Sequence, residues 1–164
     1  MRCRLSRRRG LYSGSLTRNA YSLGGVAGHA GLFATAPQIG ALVEQLLFAT
    51  SPAAGSLGIN RETVQLFTTV HNATRSSRAL GWDTLADAPS RRPYCANMSA
   101  LTFTHTGYTG TLVCADPVTR GGLLTVLLTN RVYPKADDAS EHRIHDARIR
   151  FNEAVLAALS GAEV

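Results

Sequence analysis

Residues 104–110, with the sequence THTGYTG, combine residue types that could do chemistry, and they precede the apolar run TLVCA. Gly107 and Gly110 stand three positions apart, which suits a strand edge or a tight turn where another group approaches the backbone closely. His105 has a side chain whose charge changes near neutral pH, and Thr106 has a hydroxyl group. On this motif alone, an ordinary glycine-containing hairpin with a surface histidine is the simpler interpretation.

The histidines and cysteines outside this motif give no strong signal for a metal site or a disulfide framework. His142 and His145 have Asp138 and Glu141 nearby and could hold a metal on one helix face. A solvated helix start with acids near its N-terminus is the simpler interpretation. The cysteines are odd in number and scattered, which predicts neither disulfides nor a metal spacing, and Cys114 in its apolar run is expected to be a small core residue. The cysteines are Cys3, Cys95 and Cys114.

Length and composition predict one domain with a real core, since the chain has 164 residues of which 45% are hydrophobic. The net charge of +6 comes almost entirely from arginines among the first nine residues, so the remainder is nearly neutral. Without aromatic residues among these arginines or a nucleic-acid-binding fold motif, we expect no nucleic-acid partner. No apolar stretch approaches the length of a membrane span.

The basic start is open to three interpretations. It is rich in Arg, contains Ser and Leu, and no acidic residue occurs before Glu44, which is typical of a mitochondrial transit peptide. It could equally be a solvated tail, or an artefact of where translation was assumed to begin. The sequence does not indicate a compartment.

Helices are predicted in the first half of the chain, after a glycine-rich loop at residues 23–33. Thr35 and Gln38 have the spacing of a capping box, and apolar residues recur at helical spacing over residues 36–49. Asn60 can cap a second, short helix. Its predicted buried residues are Val64, Leu66 and Phe67.

Strands are predicted from residue 79 onward. Residues 79–82 look like a short strand, and the runs LTFT, TLVCA and LLTVLLT are separated by hairpin-sized loops, so they most economically form an antiparallel meander. The run at residues 123–129 is apolar at nearly every position, which predicts a strand buried on both faces. A closing helix near residues 140–159 completes an α+β pattern with a sheet covered by helices. Its predicted stripe contains Ile144, Phe151, Val155 and Leu159.

Five segments follow one another in a specific order: GGVAGHAGLFATAPQIGALVEQLL, GWDT, THTGYTGT, the Asp116-Pro117 turn and LLTVLLTNRVYP. In this order they resemble the carboxy-terminal portion of the serine β-lactamase-related hydrolases, the family of penicillin-binding proteins, class C β-lactamases and their esterase relatives. The resemblance implies a three-layer sandwich, an antiparallel sheet with helices on both faces. We therefore expect residues 1–18 to be a basic tail outside the family domain and residues 19–164 to belong to it.

The resemblance puts His105, Thr106 and Gly107 in the position of the family's Lys-Thr-Gly motif, on the strand that walls the active site. His105 would aim a donor at a substrate carboxylate or at the catalytic hydroxyl network, in which Thr106 would also bond. Gly107 would lack a side chain because the substrate lies along this strand, and the backbone N–H of Tyr108 would be one of two donors to the oxyanion. His29 would lie near the active-site floor, although a structural role in its glycine loop is simpler.

The family's nucleophile motif is absent from this sequence. Acyl transfer there needs Ser-x-x-Lys and usually Tyr-x-Asn, but the single lysine, Lys135, follows Val132 by three positions, and no tyrosine has Asn two positions on. Both motifs precede the glycine-rich segment in the family, so we expect the carboxy-terminal segment of a longer hydrolase, inactive alone. The alternative is a non-catalytic binding module for a peptide or partner protein.

The resemblance implies hydrolysis of an amide or ester through a Ser-acyl intermediate, without metal or organic cofactor. The substrate would be a small molecule or a peptide. β-Lactams, cell-wall peptides and small esters are distinguished in the family by loops that this sequence mostly lacks. Asn130 and Arg131 would brace the closing helix rather than touch substrate.

Overall fold

The chain folds into two compact units, Met1–Ala34 and Thr35–Val164. The first contains helix α1 (Arg18–Ser22) and an antiparallel bridge between Ala27 and Ala30. The elements introduced below belong to the second unit. The computed structural model describes residues 18–24, 27–47, 58–85, 93–95, 97–133 and 137–161.

Two helices begin the second unit, and both start where the sequence predicts. α2 (Ala36–Leu47) follows Thr35, whose backbone N–H donates to the side chain of Gln38 at 2.9 Å, so one of the two hydrogen bonds of the predicted capping box is formed. α3 (Arg61–Thr68) is capped by Asn60, whose side-chain oxygen accepts from the N–H three residues on at 2.8 Å. The predicted last residues of α2, 48 and 49, lie outside the described residues.

The predicted burial of α3 is wrong. Leu66 and Phe67 expose 51% and 46% of their surface, and Val64 is half-buried. Helical periodicity identifies which residues share a face, but it does not reveal whether another element covers that face. None of the described elements buries a residue of α3, so its apolar face is exposed.

The second unit contains a four-stranded antiparallel sheet with the order β1-β2-β3-β4. Each strand pairs with the next in sequence, so the predicted meander is confirmed. The predicted strand at residues 79–82 is wrong, because Ala79 N–H donates to the Trp82 carbonyl at 2.9 Å and Gly81 has a φ of +87°, which together make a turn. The strands are β1 (Asp83–Thr84), β2 (Phe103–Thr106), β3 (Leu112–Asp116) and β4 (Leu123–Leu127).

The sheet has a helix on each face. On one face Val43 of α2 packs in a core cluster with Phe103. On the other face a second cluster surrounds Cys114, and the side-chain amide of Asn152 donates to its Sγ at 3.3 Å from the closing helix, α4 (Asp138–Ser160). The second unit is therefore an α+β arrangement of helix, sheet and helix in three layers, as predicted.

β4 is half-buried rather than buried throughout. Thr125 is its one buried residue, and the other four are of intermediate exposure. Leu124 packs with the α2 cluster and Leu127 with the Cys114 cluster, so both faces do make apolar contacts. The prediction of complete burial is wrong because β4 ends the strand order of the described sheet and has a strand neighbour on one side only.

The buried stripe of α4 differs from the predicted one. Ile144 is buried as predicted, but Phe151, Val155 and Leu159 are only half-buried. Polar side chains are buried in their place because the surface beneath α4 presents backbone carbonyls that accept hydrogen bonds. The buried residues of the stripe are Ser140, Ile144, Arg148 and Asn152.

A disulfide joins Cys95 to Cys114, with the two Cα atoms 6.0 Å apart. The prediction that the cysteines form no disulfide is therefore wrong, although Cys114 is fully buried as expected. The two cysteines are 19 residues apart, and only the folding of residues 93–95 against β3 brings them together. Sequence spacing contains no trace of that contact.

Asp116 at the end of β3 is fully buried and holds the loop before β2. Its carboxylate accepts from Ser99 N–H and hydroxyl, both at 2.6 Å, and from the backbone N–H of Val118 at 2.8 Å and the Thr119 hydroxyl at 2.6 Å. Burial alone would raise the pKa of Asp116, but the hydrogen bonds from Ser99, Thr119 and Val118 outweigh it and lower the pKa from 3.8 to about 2.

Removing the disulfide should destabilise the chain by about 3 kcal/mol, because a closed loop of this length restricts the unfolded chain. We expect the double substitution Cys95→Ser, Cys114→Ser to lower the free energy of unfolding measured in urea by this amount. Adding reductant should reproduce the loss in the parent chain and leave the double variant unchanged. Equal stability of parent and variant would show that the bridge contributes nothing.

Asp116 should make the chain sensitive to acid. Its folded-state pKa lies below the unfolded value, so its contribution of about 2 kcal/mol is complete above about pH 4 and is lost as the pH falls toward 2. We expect Asp116→Asn to lower the free energy of unfolding at pH 7 and to flatten its decline in acid. The control is Asp146→Asn, a change at an exposed position on α4. If the free energy of unfolding of both variants declines in acid as it does in the parent, the Asp116 network is not responsible for the acid sensitivity.

Candidate active site

The predicted motif ends in a tight hairpin between β2 and β3, which we call the hairpin loop (residues 107–111). Gly107 N–H donates to the Thr111 carbonyl at 2.9 Å, and Gly110 N–H donates to the Gly107 carbonyl at 2.9 Å. Gly110 has a φ of +101°, a conformation that favours glycine. In this pattern residues 108–110 connect the paired residues Gly107 and Thr111, and Gly110 forms a glycine bulge.

His105 and Thr106 are the last residues of β2. His105 is exposed, pairs with Val113, and lies on the α2 face, where its ring centroid is 6.4 Å from that of Trp82. Thr106 pairs with Leu112, a residue of the Cys114 cluster, and is half-buried. Since neighbouring residues of a strand point to opposite faces, the side chains of His105 and Thr106 are not brought together.

Tyr108 presents its backbone N–H without a hydrogen bond to any of the described residues. The residue is 53% exposed, and its ring lies beneath the Arg131 guanidinium, whose Cζ is 4.8 Å from the ring centroid. Its carbonyl accepts from Arg131 Nε at 2.8 Å. A free N–H at a fixed position on the hairpin loop is the geometry that the predicted oxyanion donor requires.

Gly107 is required by packing inside the hairpin loop. A Cβ atom placed on it would come within 2.1 Å of Thr111 Oγ1, which no side chain could tolerate unless Thr111 moved. The sequence suggests instead that a substrate excludes a side chain here. That reason stays a prediction, and the contact with Thr111 is one that spacing along the chain could not reveal.

Arg131 connects the hairpin loop to α4. Its backbone N–H donates to the Thr109 carbonyl at 2.9 Å, and its Nη2 forms a 2.8 Å ion pair with Glu141. Nη1 lies 3.4 Å from the Ser140 hydroxyl. These contacts confirm, for Arg131, the expectation that residues 130 and 131 brace the closing helix.

Arg148 and Asn152 are the contributors to this region that sequence reasoning missed. Arg148 is 6% exposed and donates to carbonyls of the hairpin loop, with its guanidinium 5.2 Å from the centre of the Tyr94 ring. Asn152 donates to the Tyr94 carbonyl as well as to Cys114. The only available signal was their spacing of four and eight from Ile144, which puts all three on one helix face.

His29 belongs to the first unit, whereas His71 and His145 belong to the second. His29 is exposed in the turn between Ala27 and Ala30 of the first unit, so its proposed substrate contact stays a prediction. A ring nitrogen of His71 lies 2.6 Å from the Leu66 carbonyl, and His145 Nδ1 lies 2.8 Å from the Tyr94 hydroxyl. Within the described ranges, no three His, Cys, Asp or Glu side chains are arranged to hold a metal ion.

The antiparallel sheet and its flanking helices define an α+β domain. The model of the Beta-lactamase family matches residues 5–148, and the chain belongs to this family. The match begins within the basic start, which lies outside the described residues, so the predicted boundary at residue 18 stays a prediction. The serine β-lactamase-related resemblance is thereby confirmed.

Two relatives illustrate what the chain is similar to. It is 36% identical over 119 residues to a protein of Escherichia coli K12 described as "Putative D-alanyl-D-alanine carboxypeptidase", covering 71% of this chain and 26% of that protein. It is 34% identical over 122 residues to an N-acetylmuramyl-L-alanine amidase of Bacillus subtilis 168, covering 74% of this chain and 27% of that protein. The chain thus spans about a quarter of the length of these relatives. No solved structure gives a significant match.

None of the helices in the described part of the chain has both the length and the apolar character needed to cross a membrane.

The packing explanation for Gly107 predicts a rescue. We expect Gly107→Ala to lower the free energy of unfolding by about 1 kcal/mol or more, because Thr111 must leave its position. Adding Gly107→Ala to a Thr111→Ala background should cost much less, since the interfering hydroxyl is gone. Urea denaturation of the two single variants and the double variant measures this coupling. An equal cost of Gly107→Ala in both backgrounds would contradict the packing explanation.

Proposed function

We propose that this chain provides one oxyanion donor and the strand that borders the active site, β2, of a serine hydrolase. This hydrolase cleaves an amide or ester through a Ser-acyl intermediate. The observation that carries the proposal is the N–H of Tyr108, which has no acceptor among the described residues and stands at a hairpin directly after His105, Thr106 and Gly107. Membership of the Beta-lactamase family supports the reaction class.

In the proposed reaction a serine Oγ attacks the substrate carbonyl carbon while the lysine of the Ser-x-x-Lys motif takes the hydroxyl proton, and the carbonyl oxygen becomes an oxyanion. The Tyr108 N–H donates to that oxyanion, and the donor needs no reorganisation because the hairpin loop already holds its peptide. The intermediate collapses to an acyl-serine as the leaving amine or alcohol takes a proton. Water then hydrolyses the acyl-serine and restores the hydroxyl.

His105 is assigned the recognition of a substrate carboxylate or the serine's hydrogen-bond network. Its exposure on the α2 face supports this assignment, because a ligand can reach it there. Thr106 is assigned a hydrogen bond within the catalytic network. It is half-buried at the end of β2, so this role requires the strand end to adjust when substrate binds. Gly107 leaves space along the strand for the substrate backbone, in addition to its packing against Thr111. His29 is assigned a substrate contact.

The substrate class that fits best is a cell-wall peptide. The E. coli and B. subtilis relatives are named for D-alanyl-D-alanine and N-acetylmuramyl-L-alanine chemistry, and both names describe cleavage of an amide next to alanine. A terminal D-alanine carries a carboxylate, which the exposed imidazole of His105 can bind through an N–H donor. Neither a metal nor an organic cofactor enters the proposed reaction.

The proposal requires a serine nucleophile that the 164 residues do not supply in a Ser-x-x-Lys motif. We propose that these residues alone are inactive. The first measurement is therefore the intact mass of the protein from its natural source, before and after treatment with a fluorescent penicillin. We expect a mass above 17.5 kDa and a covalent adduct on a serine of a Ser-x-x-Lys peptide. A mass of 17.5 kDa without an adduct would instead favour the non-catalytic binding module.

In the natural protein, His105→Ala should slow acylation by the fluorescent penicillin about 100-fold, because it removes a polar donor that faces the substrate. His105→Lys should retain most of the rate, since it provides a hydrogen-bond donor at the same position. The matched control is His142→Ala, which removes an exposed histidine of α4 and should leave the rate unchanged. Acylation of His105→Ala at the parent rate would remove His105 from the site.

A further inference from the structure

Arg148 is a buried cation whose hydrogen-bond partners are carbonyl groups. It is 6% exposed, and among the described residues its guanidinium is matched by backbone oxygens rather than by a carboxylate. Nη2 donates to the Gly107 carbonyl at 2.9 Å and the Thr111 carbonyl at 3.2 Å, and Nε donates to the Gly110 carbonyl at 3.3 Å. Burying a charge without an ionic partner is costly, so this arrangement calls for a reason.

The carbonyl of Gly107 and the N–H of Tyr108 belong to the same peptide group. In a trans peptide the C=O and N–H bonds point in opposite directions, so whatever holds the carbonyl also determines the direction of the N–H. Arg148 and Gly110 N–H both hold the Gly107 carbonyl on the inner side of the hairpin loop. The Tyr108 N–H consequently points away from Arg148.

A second effect is electronic. A cation that donates to a carbonyl polarises the whole peptide group, which makes the N–H of that group a stronger hydrogen-bond donor. The guanidinium also lies behind the donor, so its field favours negative charge on the far side of the peptide. Lysine could supply the charge, but its single ammonium cannot reproduce the planar fork that reaches three carbonyls at once.

We infer that Arg148 is a positioning residue of the active site, holding and polarising the Gly107–Tyr108 peptide so that its N–H is directed at the oxyanion. The inference rests on the proposed function, because it assumes that Tyr108 N–H meets an oxyanion. It gives a role in that function to a residue on the other face of the sheet, since α4 lies on the opposite face from α2 and His105.

The test uses the natural protein and its Arg148→Lys variant. A boronic acid inhibitor, whose tetrahedral adduct puts an oxygen in the oxyanion position, should bind about 10- to 100-fold more weakly to the variant, and kcat should fall by a similar factor. KM for a D-alanyl-D-alanine peptide should stay within about twofold, because ground-state binding does not use the oxyanion donor. The matched control is Arg150→Lys, a change at an exposed position on the same helix.

Amide hydrogen exchange provides a readout that is independent of activity. Residues 107–111 should exchange faster in Arg148→Lys than in the parent or in Arg150→Lys. If Arg148→Lys does not fold, Tyr94→Leu removes the ring beneath the guanidinium instead, while Tyr94→Phe keeps that ring and serves as its control. The leucine variant should show the same losses to a smaller degree.

The outcomes separate the two claims. A parent protein that binds no penicillin and no boronate overturns the proposed function and this inference with it. A parent that is acylated, together with an Arg148→Lys variant of lower stability but parental kcat and boronate affinity, overturns the inference alone and leaves Arg148 with a purely structural role.

Discussion

The antiparallel pairing of β2 with β3 is the constraint on which the other features depend. It puts His105 beside Val113 on the α2 face, and it forces the chain to reverse within the hairpin loop, where the Tyr108 N–H finds no acceptor in the part of the chain that the structure describes. Alternate residues of β3 then make contacts on opposite faces of the sheet. Ala115 joins the α2 cluster, whereas Cys114 and Asp116 hold Cys95 and Ser99 by a disulfide and by hydrogen bonds. A shift of the pairing by one residue would exchange these faces and separate every one of these contacts.

The closing helix completes the hairpin in a way that hydrophobic packing alone would not. A tight loop has carbonyl groups that point inward and need donors, and an apolar helix laid over them would leave them unsatisfied. α4 meets this need with Arg148, and Arg131 supplies further donors from the segment between β4 and α4. Ile144 adds close packing beneath the loop, since a Cβ on Gly110 would lie 2.7 Å from its side chain. The loop is thus held by polar and apolar contacts from the same helix.

Features that depend on nearby residues could be predicted from the sequence. The starts of α2 and α3 were predictable because Thr35, Gln38 and Asn60 form hydrogen bonds within one helical turn. The meander was predictable because its connections are hairpin-sized. The motif around His105 was identifiable from its order among other family segments. What could not be predicted depends on contacts between distant residues. The Cys95–Cys114 bridge, the contact of Gly107 with Thr111 across the loop, and the burial of Arg148 follow only once the strands are paired. Likewise, the apolar face of α3 was correctly recognised as a face, but no local signal states whether it is covered.

Arg148 and His105 lie near the same hairpin on opposite faces of the sheet, and only Arg148 is buried. Arginine stays protonated in proteins, so its hydrogen bonds to the loop are the same in acid and at neutrality. Asp116, at the other end of β3, has a pKa of about 2, so its carboxylate stays ionised well below neutral pH. Charged side chains thus fix both ends of β3 on the Cys114 face, whereas His105 stays exposed on the α2 face. The residues that set the shape of the loop are therefore separate from the residue that solvent reaches.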